Sequence, residues 1–173
     1  MREKLLIVFV GILIGLFVGF VFANNIRSRP ASMAAAQMPA EVSNALANAR
    51  NNPGSFEAQI RAAELYYQIQ RYDDALAYLL RANQLQPDSF EAIASLGMVN
   101  MDAGHLEDAE KWLKLALARQ SDNPMVLSAY CALLLQRGNL KAAGETISRL
   151  EAIDPTNSEL PEFRSQLRIL KSK

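Results

Sequence analysis

The sequence predicts an all-α protein, with one membrane-spanning helix at the N-terminus followed by a stack of paired helices. Two observations carry this. Residues 5–23 are 19 consecutive positions without a charge. Between Phe56 and Asn157, small residues return every 34 positions, as Ala75, Ala109 and Ala143 and again as Ala63, Gly97 and Cys131, with Leu79, Leu113 and Ile147 in step. A period of this length with helical chemistry inside it marks a stacked helical array, because one unit cannot bury its apolar face alone.

Composition narrows the function classes. The 173 residues suffice for one ordinary domain plus an accessory segment. Formal net charge is +0, and from Glu41 onward 14 Lys and Arg stand against 17 Asp and Glu. Neutralising phosphates needs a local excess of cations, so no nucleic-acid partner is expected. A single cysteine, Cys131, excludes an internal disulfide framework and a Cys-rich metal site.

Residues 1–23 are read as a transmembrane anchor with a short flank, since about 20 apolar residues cross a bilayer as a helix. The competing reading is a secretory signal cleaved after Val21-Phe22-Ala23. The apolar stretch exceeds the roughly 7–15 residues of a signal core, which favours the anchor. Arg2 and Lys4 precede the span, and Arg27 and Arg29 follow it, so cations are balanced. The free amino terminus tips the expectation toward a single-pass protein of the bacterial inner membrane with its C-terminal part periplasmic. Gly11, Gly15 and Gly19 share one face of this helix, where backbones approach closely and a homo-oligomer can form. Glycine is also simply common in membrane helices.

Residues 24–40 read as a linker, with Pro30 and Pro39 bracketing an Ala-rich run. Fully extended it reaches about 55 Å at roughly 3.3 Å per residue. Residues 41–55 hold a flanking helix, because Val42, Ala45, Leu46 and Ala49 fall on one helical side before Asn52-Pro53-Gly54. Three units follow, 56–89, 90–123 and 124–157, each split into two helices at Gln70-Arg71, Gly104-His105 or Gly138-Asn139. Gly and Asn accept the left-handed backbone that ends a helix. Pro87 and Pro155 separate units, and Asn123-Pro124 pairs a capping residue with proline at the first helical position. Residues 158–173 predict a capping helix from Ser158 to Leu170, with Thr156 and Glu159 at capping-box spacing. Leu160, Phe163, Leu167 and Leu170 form its covering face, backed by Glu162, Arg164, Arg168 and Lys171.

These units resemble tetratricopeptide repeats over about 102 residues. Unit one supplies Ala62, Ala63, Tyr66, Ala75, Leu79, Ala82 and Pro87; unit two Ile93, Leu96, Gly97, Ala109, Leu113 and Ala116; unit three Leu127, Tyr130, Cys131, Leu134, Ala143, Ile147 and Pro155. Gln59, Asn100, Ser121 and Leu150 depart from the pattern. Leu150 replaces a small Ala, which points to a differently shaped neighbour, the terminal helix. The resemblance implies a right-handed α-solenoid of three helix pairs with flanking capping helices. It also implies that the first helices line a concave groove for a protein or peptide partner. On this chain the groove would present Glu57, Ile60, Glu64 and Tyr67, then Glu91, Ala94, Met98, Met101 and Asp102, then Met125, Ser128, Ala132 and Leu135.

No convergent set of nucleophile, base and stabiliser stands out, so no enzyme, catalytic residue, cofactor or metal site is assigned. His105 is expected as a polar turn residue and Cys131 as a buried small apolar one. Glu107, Asp108 and Glu110 offer i, i+3/i+4 pairings with Lys111 and Lys114, which is expected to be a solvated helix face. Some family members grip a C-terminal carboxylate with Lys, Arg and Asn; no basic residue occupies the matching positions here. The expected groove is apolar and acid-edged with three methionines, suited to an amphipathic helix or peptide. The competing assignment has the methionines filling core gaps. The preferred function is a membrane-anchored adaptor, similar in organisation to the repeat-bearing subunits of bacterial cytochrome c maturation that hold apocytochrome. The alternative is a structural accessory subunit of a membrane or translocation complex, held through the glycine face.

Two expectations follow from residues alone. Ala109→Leu should overpack the helix contact and lower stability by about 1–3 kcal/mol in thermal or urea unfolding; a neutral effect would mean that the register is wrong. Gly15→Ile should abolish self-association in a membrane helix-association assay, and unchanged association would rule the glycine face out.

Overall fold

Helix after helix runs through the computed structural model, which describes residues 40–172 and contains no strand among them. The expected anchor with Gly11, Gly15 and Gly19, and the linker to Pro39, lie outside the described residues. Among the described residues no helix is long and apolar enough to cross a membrane. The elements are α1 (Ala40–Asn51), α2 (Phe56–Gln68), α3 (Tyr72–Leu85), α4 (Phe90–Asp102), α5 (Leu106–Arg119), α6 (Pro124–Gln136), α7 (Leu140–Ile153) and α8 (Leu160–Lys171). The chain divides into a unit ending at Ser43 and one from Asn44 to Lys173, and the packing below concerns the second.

Local chemistry sets where the helices begin and turn. Ser55, Ser89 and Asn123 accept from the N–H groups of Ala58, Ala92 and Val126 at 3.2, 3.4 and 3.2 Å, satisfying a donor that the first turn leaves unpaired. Within each pair the chain reverses through a left-handed residue: Gln70 (φ 58°), Gly104 (81°) and Gly138 (71°). At each turn two backbone bonds close the helix end. Arg71, His105 and Asn139 donate to Tyr66, Asn100 and Leu134, all at 2.9 Å, and the left-handed residue donates to Tyr67, Met101 or Leu135. This double closure satisfies carbonyls that would otherwise face the next helix. Gln70 adopts it without glycine's freedom, at a cost of about 1–2 kcal/mol.

Small residues stand where helices of a pair meet. Ala75, Ala109 and Ala143 are fully buried, and so is Cys131. At Gly97 the approach is tight: a Cβ there would lie 2.7 Å from Leu113 Cδ2 and 3.1 Å from the Leu113 backbone nitrogen. Two clusters of apolar side chains fill the space beside the Ala109 and Ala143 contacts. One gathers Ile93, Ala109, Leu113, Val126 and Leu133; the other gathers Leu127, Cys131, Ile147, Leu150, Leu160 and Phe163. Leu150 thus packs with the residues of α8, as its size implied.

The departures from the repeat pattern have local causes. Gln59 is fully buried and its Nε2 donates to the carbonyls of Ala49 (2.9 Å) and Asn52 (3.3 Å), so it caps the end of α1 where an aromatic ring could not. Asn100 is buried and donates to the Leu96 carbonyl at 2.7 Å, within its own helix. Between units, Arg119 reaches Asp88 at 2.5 Å and Arg149 reaches the Ser121 carbonyl at 2.7 Å, each pinning the turn that precedes its pair.

Two expectations are corrected. α8 begins at Leu160, not Ser158, and Thr156 with Glu159 forms no capping box. Thr156 Oγ1 donates to Asp154 Oδ1 at 2.9 Å, and Asn157 Oδ1 accepts the Glu159 N–H at 3.0 Å. Pro161 is the reason: a helix begun at Thr156 would need its N–H for the Asn157 carbonyl and proline has none, whereas its fixed φ suits the first turn. On α5, Glu110 pairs with Lys114 at 2.6 Å as expected, but Lys111 lies over the Trp112 ring at 5.5 Å. Glu107 and Glu110 instead meet Arg137, at 3.8 and 3.0 Å, at the far end of α6.

The two helical glycines of the array should respond oppositely to alanine. Gly97→Ala should lower stability by about 1–3 kcal/mol despite its better helix propensity, because buried Leu113 has nowhere to move. Gly144→Ala meets only Leu167 Cδ2 at 3.6 Å and should raise stability by about 0.5–1 kcal/mol. Chemical denaturation of both variants checks the sign of each.

Candidate peptide-binding groove

The first helices of the three pairs, α2, α4 and α6, bring most of the expected groove residues together around two adjoining openings. The larger is a cleft of about 430 Å³, lined by Tyr67 of α2, Met98, Met101 and Asp102 of α4, and Met125, Ser128, Ala129 and Ala132 of α6. Asn157 and Glu159, from the segment leading into α8, complete it. The smaller is a dimple of about 180 Å³ between the first two pairs, lined by Ile60, Ala63, Glu64, Tyr67, Leu79, Ser95, Met98 and Val99. Tyr67 and Met98 belong to both.

The expected residues differ in how open they are. Tyr67 is 40% exposed and Met125 52%; Glu57, Glu64, Glu91 and Asp102 are also exposed, and Met98, Met101 and Ala132 are half-buried. The methionines therefore are not sealed into the core. Ile60 and Ser128 are buried, yet they line the dimple and the cleft respectively. Ala94 and Leu135 are corrections: both are buried and line neither opening. Ala94 joins the cluster that holds Val126 and Leu133 of α6, and Leu135 joins the cluster closed by α7 and α8. Glu57 and Glu91 are exposed beside the openings without lining them.

Several lining residues escaped the sequence reading. Ser95 and Ala129 are 34 apart and sit one position after Ala94 and Ser128, so the repeat register already carried their signal. Asn157 and Glu159 had none, because they lie past the last repeat and reach the cleft only through the packing of α8. Asn157 Nδ2 approaches Ser128 Oγ at 3.4 Å, fixing that segment against α6.

Electrostatics give the groove one sign. Its titratable lining groups are Glu64, Asp102 and Glu159, with Tyr67, and neither opening is lined by Lys, Arg or His. Arg61 pairs with Glu64 at 3.1 Å, with both side chains at least half exposed. The Tyr67 hydroxyl donates to Asp102 Oδ2 at 2.6 Å and so ties α2 to α4 across 35 residues. This bond to Asp102, with burial second, pushes the Tyr67 phenol up from 10.0 to about 12. Burial likewise pushes the Cys131 thiol up to about 12, with the charge of Glu159 adding to it. A fully buried thiol held protonated is a packing group, not a nucleophile. His105 precedes α5 in an exposed turn and makes no side-chain cap. Among the described residues, no group of three His, Cys, Asp or Glu could hold a metal ion.

Helix pairs in 34-residue register, with their first helices lining a shared cleft, define an α-solenoid. Family models described as tetratricopeptide repeat match residues 40–90, 70–130 and 100–167. The chain belongs to the tetratricopeptide repeat family. A TPR repeat-containing protein of Pseudomonas aeruginosa, PA4667, is 40% identical over 53 residues, covering 31% of this chain and 9% of that protein. The match therefore spans less than a tenth of the relative. Among solved structures, the chain is similar to MamA MSR-1 C2, with a TM-score of 0.60 at 20% identity over 66% of each chain. It is similar to the first TPR domain of human RPAP3, with a TM-score of 0.62 at 17% identity over 70% of this chain and 98% of that one. A crystal structure of MamA protein gives a TM-score of 0.62 at 17% identity over 76% and 81%. At such identities the likeness is one of fold.

The Tyr67–Asp102 bond gives a pH signature. The folded pKa is raised, so the stability it contributes is present below about pH 10 and is lost as pH climbs through 12. In a spectrophotometric titration, the difference between the parent chain and Tyr67→Phe should report a phenol ionising near 12. Asp102→Asn should move that step back toward 10; a step already at 10 in the parent would mean that the bond is absent in solution.

Proposed function

We propose that this chain is an adaptor anchored to a membrane by residues 5–23, which holds a peptide or amphipathic helix of a partner protein in the groove of α2, α4 and α6. The observation that carries the reading is the cleft that gathers Met98, Met101 and Met125 from two pairs, with none of the three fully buried. Methionine is flexible and polarisable, and such a floor adapts to the shape of an incoming apolar face. A concave surface built from successive helices presents several such positions at once, which is how an amphipathic helix or extended segment is read. The anchor would confine that event to a membrane surface and raise the local concentration of the partners.

The uncharged run of residues 5–23 supports the anchor, and the order anchor, linker, array supports a place in assembling an envelope complex or in cytochrome c maturation. In that setting the array lies outside the cytoplasm. Protease treatment of intact and opened cells tests this: digestion of the C-terminal part only after the inner membrane is opened would reverse the topology.

Met98→Asn combined with Met101→Asn tests the groove without adding charge. Partner recovery in a pull-down should fall at least tenfold while the helical circular dichroism signal and unfolding midpoint stay close to the parent. Undiminished recovery by the folded double variant would sink the reading.

A further inference from the structure

We infer that the occupant of this groove is a cationic segment carrying one bulky apolar anchor residue. The inference deepens the adaptor reading and rests on it.

The first-helix layer of the array is acidic. α2, α4 and α6 carry Glu57, Glu64, Glu91 and Asp102 against a single cation, Arg61, which is already paired with Glu64. The second helices instead mix cations, from Arg81 on α3 to Arg149 on α7, with carboxylates such as Asp73, Glu110 and Glu145, and Arg71 and Arg137 stand in the turns. Glu159 adds a further anion at the far end of the cleft. An acidic segment laid along this face would meet carboxylates and no counter-charge, which repels wrong partners as effectively as attraction selects right ones. A segment rich in Lys or Arg meets Asp102 in the middle and Glu159 at the end. Asp102 gives one oxygen to the Tyr67 hydroxyl, and a carboxylate has acceptor sites to spare for an ammonium or guanidinium.

Apolar chemistry supplies the second half. The dimple is walled by Ile60, Leu79, Val99 and Met98, and its volume of about 180 Å³ suits one large side chain such as Leu, Met or Phe. It opens beside the cleft through shared Tyr67 and Met98, so one continuous segment fills both. The anchor supplies binding energy by burial, and the cations supply selection. Because Glu64, Asp102 and Glu159 are exposed to solvent, the charge part must weaken with salt, screened over about 10 Å at 0.1 M.

Phage-displayed random 12-residue peptides, panned on the full chain in nanodiscs, test this, with fluorescence anisotropy of the enriched peptides as the readout. Expected is enrichment of Lys and Arg around one Leu, Ile, Met or Phe, with affinity falling at least tenfold between 0.05 and 0.5 M salt. Asp102→Asn with Glu159→Gln, isosteric and on exposed residues, should cost tenfold and flatten the salt dependence. Ser95→Phe, which fills the dimple, should cost tenfold and leave the salt dependence unchanged. If acidic or uncharged peptides win and are lost with Met98→Asn/Met101→Asn, the cationic inference is overturned while the adaptor reading stands. If no peptide is enriched, or binding ignores every groove variant, both fall. Self-association that Asp102→Asn/Glu159→Gln abolishes would make the occupant a second copy and overturn the inference.

Discussion

The contact between Gly97 on α4 and Leu113 on α5 leaves no room for even one more carbon atom. Its counterparts by register are Ala63 with Leu79 and Cys131 with Ile147, and all four are buried. Protein interiors are packed as densely as organic crystals, so a fixed closest approach sets the angle of the pair, and the angle sets where the next pair can sit. Repeating it every 34 residues turns a local packing rule into a stack of helix pairs whose first helices share a cleft. The groove is thus a by-product of the close contact, and its floor follows from whichever residues fall one helical face away.

A repeat array is least regular at its ends, and both ends of this one are handled by specific chemistry. At the start, buried Gln59 ties α2 to the last carbonyls of α1. At the finish, Leu150 is large because α8 offers it Leu160 and Phe163 to pack against. α8 then does more than cover apolar surface. The segment that delivers it carries Asn157 and Glu159 into the cleft, so the closing element also gives the groove its last wall and its last charge. Tyr67 and Asp102 make the matching link at the other side of the cleft, joining two pairs through a single hydrogen bond.

Much of this was legible in the residues because helix ends are local. A cap needs only the next few N–H groups, and a left-handed turn only one permissive residue, so Asn123-Pro124 and the turns at Gly104 and Gly138 announced themselves. Gln70 occupied the same place without that signature, and register alone revealed it. At the start of α8 the capping-box spacing of Thr156 and Glu159 competes with Pro161, and the proline decides. Helical spacing pairs Lys111 with Glu107 but says nothing of the neighbouring Trp112 ring or of Arg137 arriving from the end of α6 to meet the carboxylates.

Read without coordinates, the chain specified helix pairs, their register and the points of closest approach, because these follow from side-chain size and backbone preference over a few turns. Folding in three dimensions decided which residues of the inner faces stay open. Ala94 and Leu135 share repeat positions with Ser128 and Tyr67, yet they are covered while the latter two line the cleft, because burial depends on what the neighbouring helix places opposite. The cleft's acidic and aromatic edge joins Tyr67, Asp102 and Glu159, residues far apart in the chain that meet only once the whole stack is built.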